Sequence, residues 1–193
     1  MKMKAYIFLI AALGLATTIC RTAVAEDATA LQLIKRGNDY VGVQSKDKVV
    51  QIRSEKSIGS LTPNIWYVVY YDPDATFKAV EVKFGAGEKM DVSHPLRVLE
   101  LVGDKDDPLQ RAKLKVDSDK AIKIATAQPL LANLTLKATQ LRLEHGDEGP
   151  QWRVQLWAAK LKKPGDDADI GAVILSAADG TVIKADLHPN RVD

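Results

Sequence analysis

Two stretches of this chain, from Trp66 to Glu100 and from Trp152 to Asp193, carry the same succession of segments, and a chain made of two related units is narrowly limited in how it can fold. WRVQLW answers WYVVYY, setting Trp152, Val154 and Leu156 on Trp66, Val68 and Tyr70. AVILSAADGTVI answers AVEVKFGAGEKM without a gap, so Gly180 falls on Gly87. His188-Pro189-Asn190-Arg191-Val192 then repeats His94-Pro95-Leu96-Arg97-Val98. Residues two apart line one face of a strand, so both stretches predict strands with Trp, Val and Tyr or Leu facing a core. Asp179-Gly180 between apolar runs predicts a hairpin, because glycine takes a positive φ at little cost.

The repeat extends upstream. SKDKVVQIRSEKS (45–57) lies position for position on DSDKAIKIATAQP (117–129), with Asp-Lys just ahead of the apolar group in each. Capping residues before a one-sided apolar stripe predict a helix in both places. LTLKATQLRLEH adds a strand between the second helix and Trp152, whereas the first unit runs through GSLTPN almost directly to Trp66 and is therefore expected to be trimmed. Leu31, Leu33 and Ile34 with Ala30 predict a further short leading helix that stops near Gly37-Asn38. Polar GDKDDPLQRAK (103–113) reads as a linker.

On AIKIA, TLKATQLRLE, WRVQLW and AVILSAADGTVIKAD the second unit resembles the PepSY family, and the first unit resembles it more faintly from Ser45 to Pro95. The resemblance implies an α+β fold of two cystatin-like units, each a helix packed on an antiparallel β-meander. Such domains occur in propeptides of thermolysin-like proteases and in envelope proteins; no protease domain is expected to follow here, so the resemblance implies a stand-alone binding or inhibitory role. The organisation expected is a signal peptide over 1–25, a degenerate repeat with its extra leading helix over 26–102, the linker over 103–113, and a full repeat over 114–193.

The signal peptide follows from Lys2 and Lys4, the apolar run AYIFLIAALGLATTI and the small residues Ala23 and Ala25, with cleavage expected between Ala25 and Glu26. The run is shorter than the roughly 20 residues that span a bilayer, so no transmembrane segment is expected in the mature chain. Ile19 sits where a lipoprotein site needs a small residue, which argues against a lipid anchor on Cys20. Periplasmic or secreted localisation is the consequence, and cleavage would leave no cysteine for disulfides, thiol catalysis or metal binding. Lys2, Lys4 and Arg21 would leave and no acid would, turning the whole chain's +2 into −1, so a general attraction to nucleic acid is not expected.

No catalytic residue, metal ligand or cofactor is expected. His94, His145 and His188 lack a Ser/His/Asp pattern or an H-E-x-x-H motif around them, and the first and last recur because the unit recurs. Asp166, Asp167 and Asp169, and the linker's Asp104, Asp106 and Asp107, lack the spacing and terminal Glu of a calcium loop. The aromatics lead further. Strand alternation throws Trp157, with Arg153 and Gln155, to the face opposite Trp152, and throws Tyr67, Val69 and Tyr71 opposite Trp66. These are the candidate binding residues, above all Trp157, Arg153, Gln155, Tyr67 and Tyr71. Burial between two stacked repeats is the preferred reading of them, and an exposed contact surface the other. The function expected is a non-enzymatic envelope or secreted protein that binds a peptide or protein through a sheet face or strand edge. An inhibitor of an envelope or secreted peptidase is the alternative, and a hydrolase or lyase with a site between the repeats a weaker one.

Overall fold

Eight strands form a single antiparallel sheet in the computed structural model, which describes residues 28–94 and 107–193. The signal peptide, its cleavage site, Cys20, Arg97 and residues 103–106 of the expected linker lie outside the described residues. In chain order the elements are α1 (Ala30–Gly37), β1 (Val49–Ser54), β2 (Ile65–Tyr71), β3 (Ala79–Gly85), β4 (Glu88–Ser93), α2 (Ser118–Thr126), β5 (Leu136–Gly146), β6 (Gly149–Ala159), β7 (Asp167–Ser176) and β8 (Val182–Leu187), with short 3-10 turns between some of them. The fold is α+β, and helix followed by four strands occurs twice. Strand order β4-β3-β2-β1-β5-β6-β7-β8 sets two four-stranded meanders edge to edge, joined where β1 meets β5.

One register row accounts for the core. Val82, Val68, Ile52, Leu143, Trp152 and Leu175 stand side by side across six successive strands, and all of them are buried. Directly opposed side chains share a face, so this row makes one continuous apolar surface through the β1–β5 junction. Both helices lie on it. Leu33 and Ile34 of α1 and Ala121, Ile122 and Ala125 of α2 belong to the same buried cluster as the strand residues. Helices of 8 and 9 residues are too short to persist alone in water, so this packing is what keeps them folded. The helices also touch: the Ala30 N–H donates to Ser118 Oγ at 3.1 Å.

The paired tryptophans behave alike. Trp66 Nε1 donates to the Pro63 carbonyl at 2.9 Å and Trp152 Nε1 to the Val116 carbonyl at 2.8 Å, so each buried indole satisfies its one donor on the backbone. Gly87 and Gly180, aligned from sequence, take positive φ values of 81° and 86° in the β3–β4 and β7–β8 turns. At Gly180 the Asp179 carboxylate accepts from the Thr181 N–H at 2.9 Å, and this bond holds its pKa below the usual range.

The upstream half of the repeat needs correction. Residues 45–57 contain no α-helix; Val49–Ser54 is β1, a central strand. The counterpart of α2 by order is α1, the helix read as an extra leading one, and the first half is not trimmed, since it contributes four strands like the second. The described end of the linker is also packed: Leu109 is buried and its N–H donates to the Val49 carbonyl at 2.6 Å. Among the described residues no helix is long and apolar enough to cross a membrane.

Candidate binding face

The face of the sheet away from the helices carries a second register row, one step along from the core row. Lys83, Tyr67, Arg53, Arg142 and Arg153 stand side by side on β3, β2, β1, β5 and β6. Three arginines thus occupy three adjacent strands at the join of the two meanders. Like charges directly opposed in an antiparallel pair are destabilising, by roughly 0.2–1 kcal/mol on the scale of such pairs, so folding alone does not favour the arrangement.

The junction itself is irregular, and the irregularity opens a groove. Only Ile52 with Leu143 and Arg53 with Arg142 pair directly between β1 and β5. Beyond them hydroxyls supplement the backbone: Ser54 Oγ accepts from the Leu141 N–H and Ser57 Oγ from the Thr139 N–H, both at 2.9 Å, while the Ser57 N–H donates to the Thr139 carbonyl at 2.8 Å. Gln140 Nε2 adds a bond to the Ser54 carbonyl at 3.1 Å. On the open side this leaves a cavity of about 460 Å³ whose walls include Arg53, Gln140, Arg142, Glu144, Arg153 and Gln155.

The candidate aromatics lie on this face. The meanders join edge to edge and do not stack, so Tyr67, Tyr71 and Trp157 are half-buried by their sheet neighbours, with no second sheet over them. Val69, between the tyrosines, is buried in a small cluster with Val50 and Ala79. Each aromatic carries a cation. Arg53 lies over the Tyr67 ring at 4.2 Å and Lys83 near the same ring at 5.0 Å, Lys48 over Tyr71 at 5.9 Å, and Lys56 over Trp157 at 4.8 Å. What the face offers a partner is therefore ammonium and guanidinium groups held by aromatic rings, at separations where cation–π attraction operates.

Most of those cations are already paired. Arg53 bonds Glu81 at 2.5 Å, Lys56 bonds both oxygens of Asp167 at 2.7 and 2.8 Å, and Lys83 reaches Glu55 at 3.3 Å. Tyr67 donates its hydroxyl to Glu55 at 2.5 Å, and this bond, reinforced by Lys83, lowers the Glu55 pKa. The Tyr67 hydroxyl in turn raises the Lys83 pKa, with Glu55 adding to the effect. Arg142 and Arg153 differ. Arg142 makes only a long ion pair with Glu144, at 3.7 Å, through the same Oε2 that accepts from Gln51 at 3.2 Å. Arg153 is exposed and has neither an ion pair nor a hydrogen-bonded side-chain partner among the described residues.

Arg153, Gln155, Trp157, Tyr67 and Tyr71 lie on this face as strand alternation predicts, and Arg53, Arg142 and Gln140, which that alternation did not single out, join them. Alternation within LTLKATQLRLEH does send Gln140, Arg142 and Glu144 away from Leu141 and Leu143, but the pairing that brings Arg142 beside Arg153 and Arg53 is not written in any one strand. The histidines do not converge. His94 follows β4 and His188 follows β8, the two outer strands, about seven interstrand spacings of roughly 4.8 Å apart. Each sits near an acid, Asp72 at 3.9 Å and Asp186 at 3.2 Å. Asp169 accepts from Gln155 Nε2 at 2.6 Å and from the Gly171 N–H at 2.8 Å, so it and Asp167 serve as local hydrogen-bond and ion-pair partners.

In comparisons with protein families, curated proteins and solved structures, nothing matches this chain.

Proposed function

We propose that the chain is a non-enzymatic binding protein of the cell envelope or the secreted compartment, built of two PepSY-like modules, and that it recognises a peptide or protein segment on the open face of its sheet. The observation that carries this reading is that face: both helices cover one side of an eight-stranded sheet, and the other side keeps half-buried aromatics, arginines and a groove. The modular reading is supported by helix followed by four strands in each half, by the matched Trp66 and Trp152 anchors and by the matched glycine turns. A face is favoured over an edge because both outer strands carry charge, Glu88, Lys89 and Asp91 on β4 and Lys184 and Asp186 on β8, a feature that discourages strand addition.

Trp157 is the probe of choice, being aromatic, half-exposed and outside the core. Replacing it by Ala is expected to weaken binding of a peptide ligand about tenfold or more while the thermal midpoint stays within a few degrees of the parent protein. Unchanged binding with a large loss of stability would make Trp157 a structural residue and remove the support it gives this reading.

A further inference from the structure

We infer that Arg142 and Arg153 together form a receptor for one side-chain carboxylate, an Asp or Glu of an extended peptide lying on the open face. This deepens the peptide-binding reading above and rests on it. The two arginines are directly opposed across β5 and β6, Glu81 is bonded to Arg53, Glu144 is shared between Gln51 and a long 3.7 Å ion pair with Arg142, and the groove opens beside them. A guanidinium presents a planar fork that matches a carboxylate, and two such forks on adjacent strands can hold one anion between them. An anion there also relieves the repulsion that the pair imposes on the sheet.

The surroundings favour one isolated carboxylate over a polyanion. Glu81, Glu144 and Asp169 lie on the same face and would repel a ligand with charge at every repeat. The groove also carries amides: Gln140 and Gln155 are opposed two residues along from the arginines and donate to Ser54 and Asp169, which leaves their carbonyl oxygens as acceptors for a peptide N–H. Recognition thus combines one charge-assisted contact with neutral amide contacts, the pattern of an acidic residue within an ordinary peptide.

Random dodecapeptides displayed through their C-termini, so that only side-chain carboxylates are free, would be selected on the full-length chain. The winners' affinities would then be measured by calorimetry. Selected sequences should be enriched in Asp or Glu. Exchange of the acidic residue for its amide should lower affinity roughly tenfold or more, the loss expected for a charge-assisted pair. Arg142→Gln with Arg153→Gln should give the same loss, with no further loss when protein and peptide changes are combined, and with a thermal midpoint no lower than the parent's, because both side chains are exposed and their mutual repulsion is removed. Peptides that bind without acidic bias, or equally to the double variant, would overturn the carboxylate receptor and leave peptide binding standing. Recovery of no peptide would contradict peptide binding itself. Inorganic polyphosphate binding more tightly than any selected peptide would assign the arginines to a polyanion and overturn the inference.

Discussion

Asp117 ties the first turns of both helices together through Leu31. Its Oδ1 accepts from the Leu31 N–H at 3.1 Å and from the Ser118 N–H at 2.7 Å, so one carboxylate at the N-cap of α2 also serves an otherwise unpaired donor of α1, 86 residues away. Negative charge at two helix N-termini is favoured by both dipoles.

Asp117→Ala should therefore cost more than an ordinary cap. A single cap is worth about 1 kcal/mol, and serving two helices brings the expected loss to about 2 kcal/mol. Urea unfolding measures it, and Asp117→Asn, which keeps an acceptor oxygen, should recover about half.

The seam between the meanders makes a second case. Ser54 is buried and its Oγ takes the Leu141 N–H, a donor that no backbone carbonyl reaches on the splayed side of β1. Ser54→Ala leaves that N–H unpaired in the interior and should destabilise the protein by about 1–3 kcal/mol. A loss below a few tenths, measured by the same unfolding experiment, would mean that the seam tolerates an open donor.

Tyr70 gives a pH prediction. Its hydroxyl donates to the Ile34 carbonyl at 2.9 Å beneath α1, where a Cβ on Gly37 would collide with it. Burial pushes the Tyr70 pKa well above the usual tyrosine value, with Asp47 adding to the rise. The unfolded chain releases this proton near pH 10 and the folded chain does not, so the stability tied to Tyr70 is complete below about pH 10 and is lost as pH rises beyond it. Tyr70→Phe should flatten that alkaline decline while costing about 1 kcal/mol at neutral pH for the lost hydrogen bond. Melts of both proteins between neutral and alkaline pH provide the check.

The strands that alternate cleanly were legible from sequence. Trp152, Val154 and Leu156 are fully buried while Arg153, Gln155 and Trp157 face the other way, because β6 has a core on one side only. The opposite case is β1. Val49, Val50, Gln51 and Ile52 are all buried, so the segment shows no period of two, and behind Asp47-Lys48 it imitates a capped helix. The β-branched residues at three of those four positions were the available counter-signal. The β1–β5 pairing, and with it the arginine row, spans about half the chain and depends on which edges meet, which no local pattern encodes.

A partner on the open face touches a different set of residues from one on the helices or the outer strands. Chemical-shift perturbation on adding a selected peptide to the isotope-labelled protein reads this directly. The prediction is that Arg53, Arg142, Arg153, Gln155 and the Trp157 indole shift while Leu33, Ile34 and Ile122 on the helix side stay in place. Shifts confined to Glu88–Ser93 or Val182–Leu187, or centred on the helices, would contradict it.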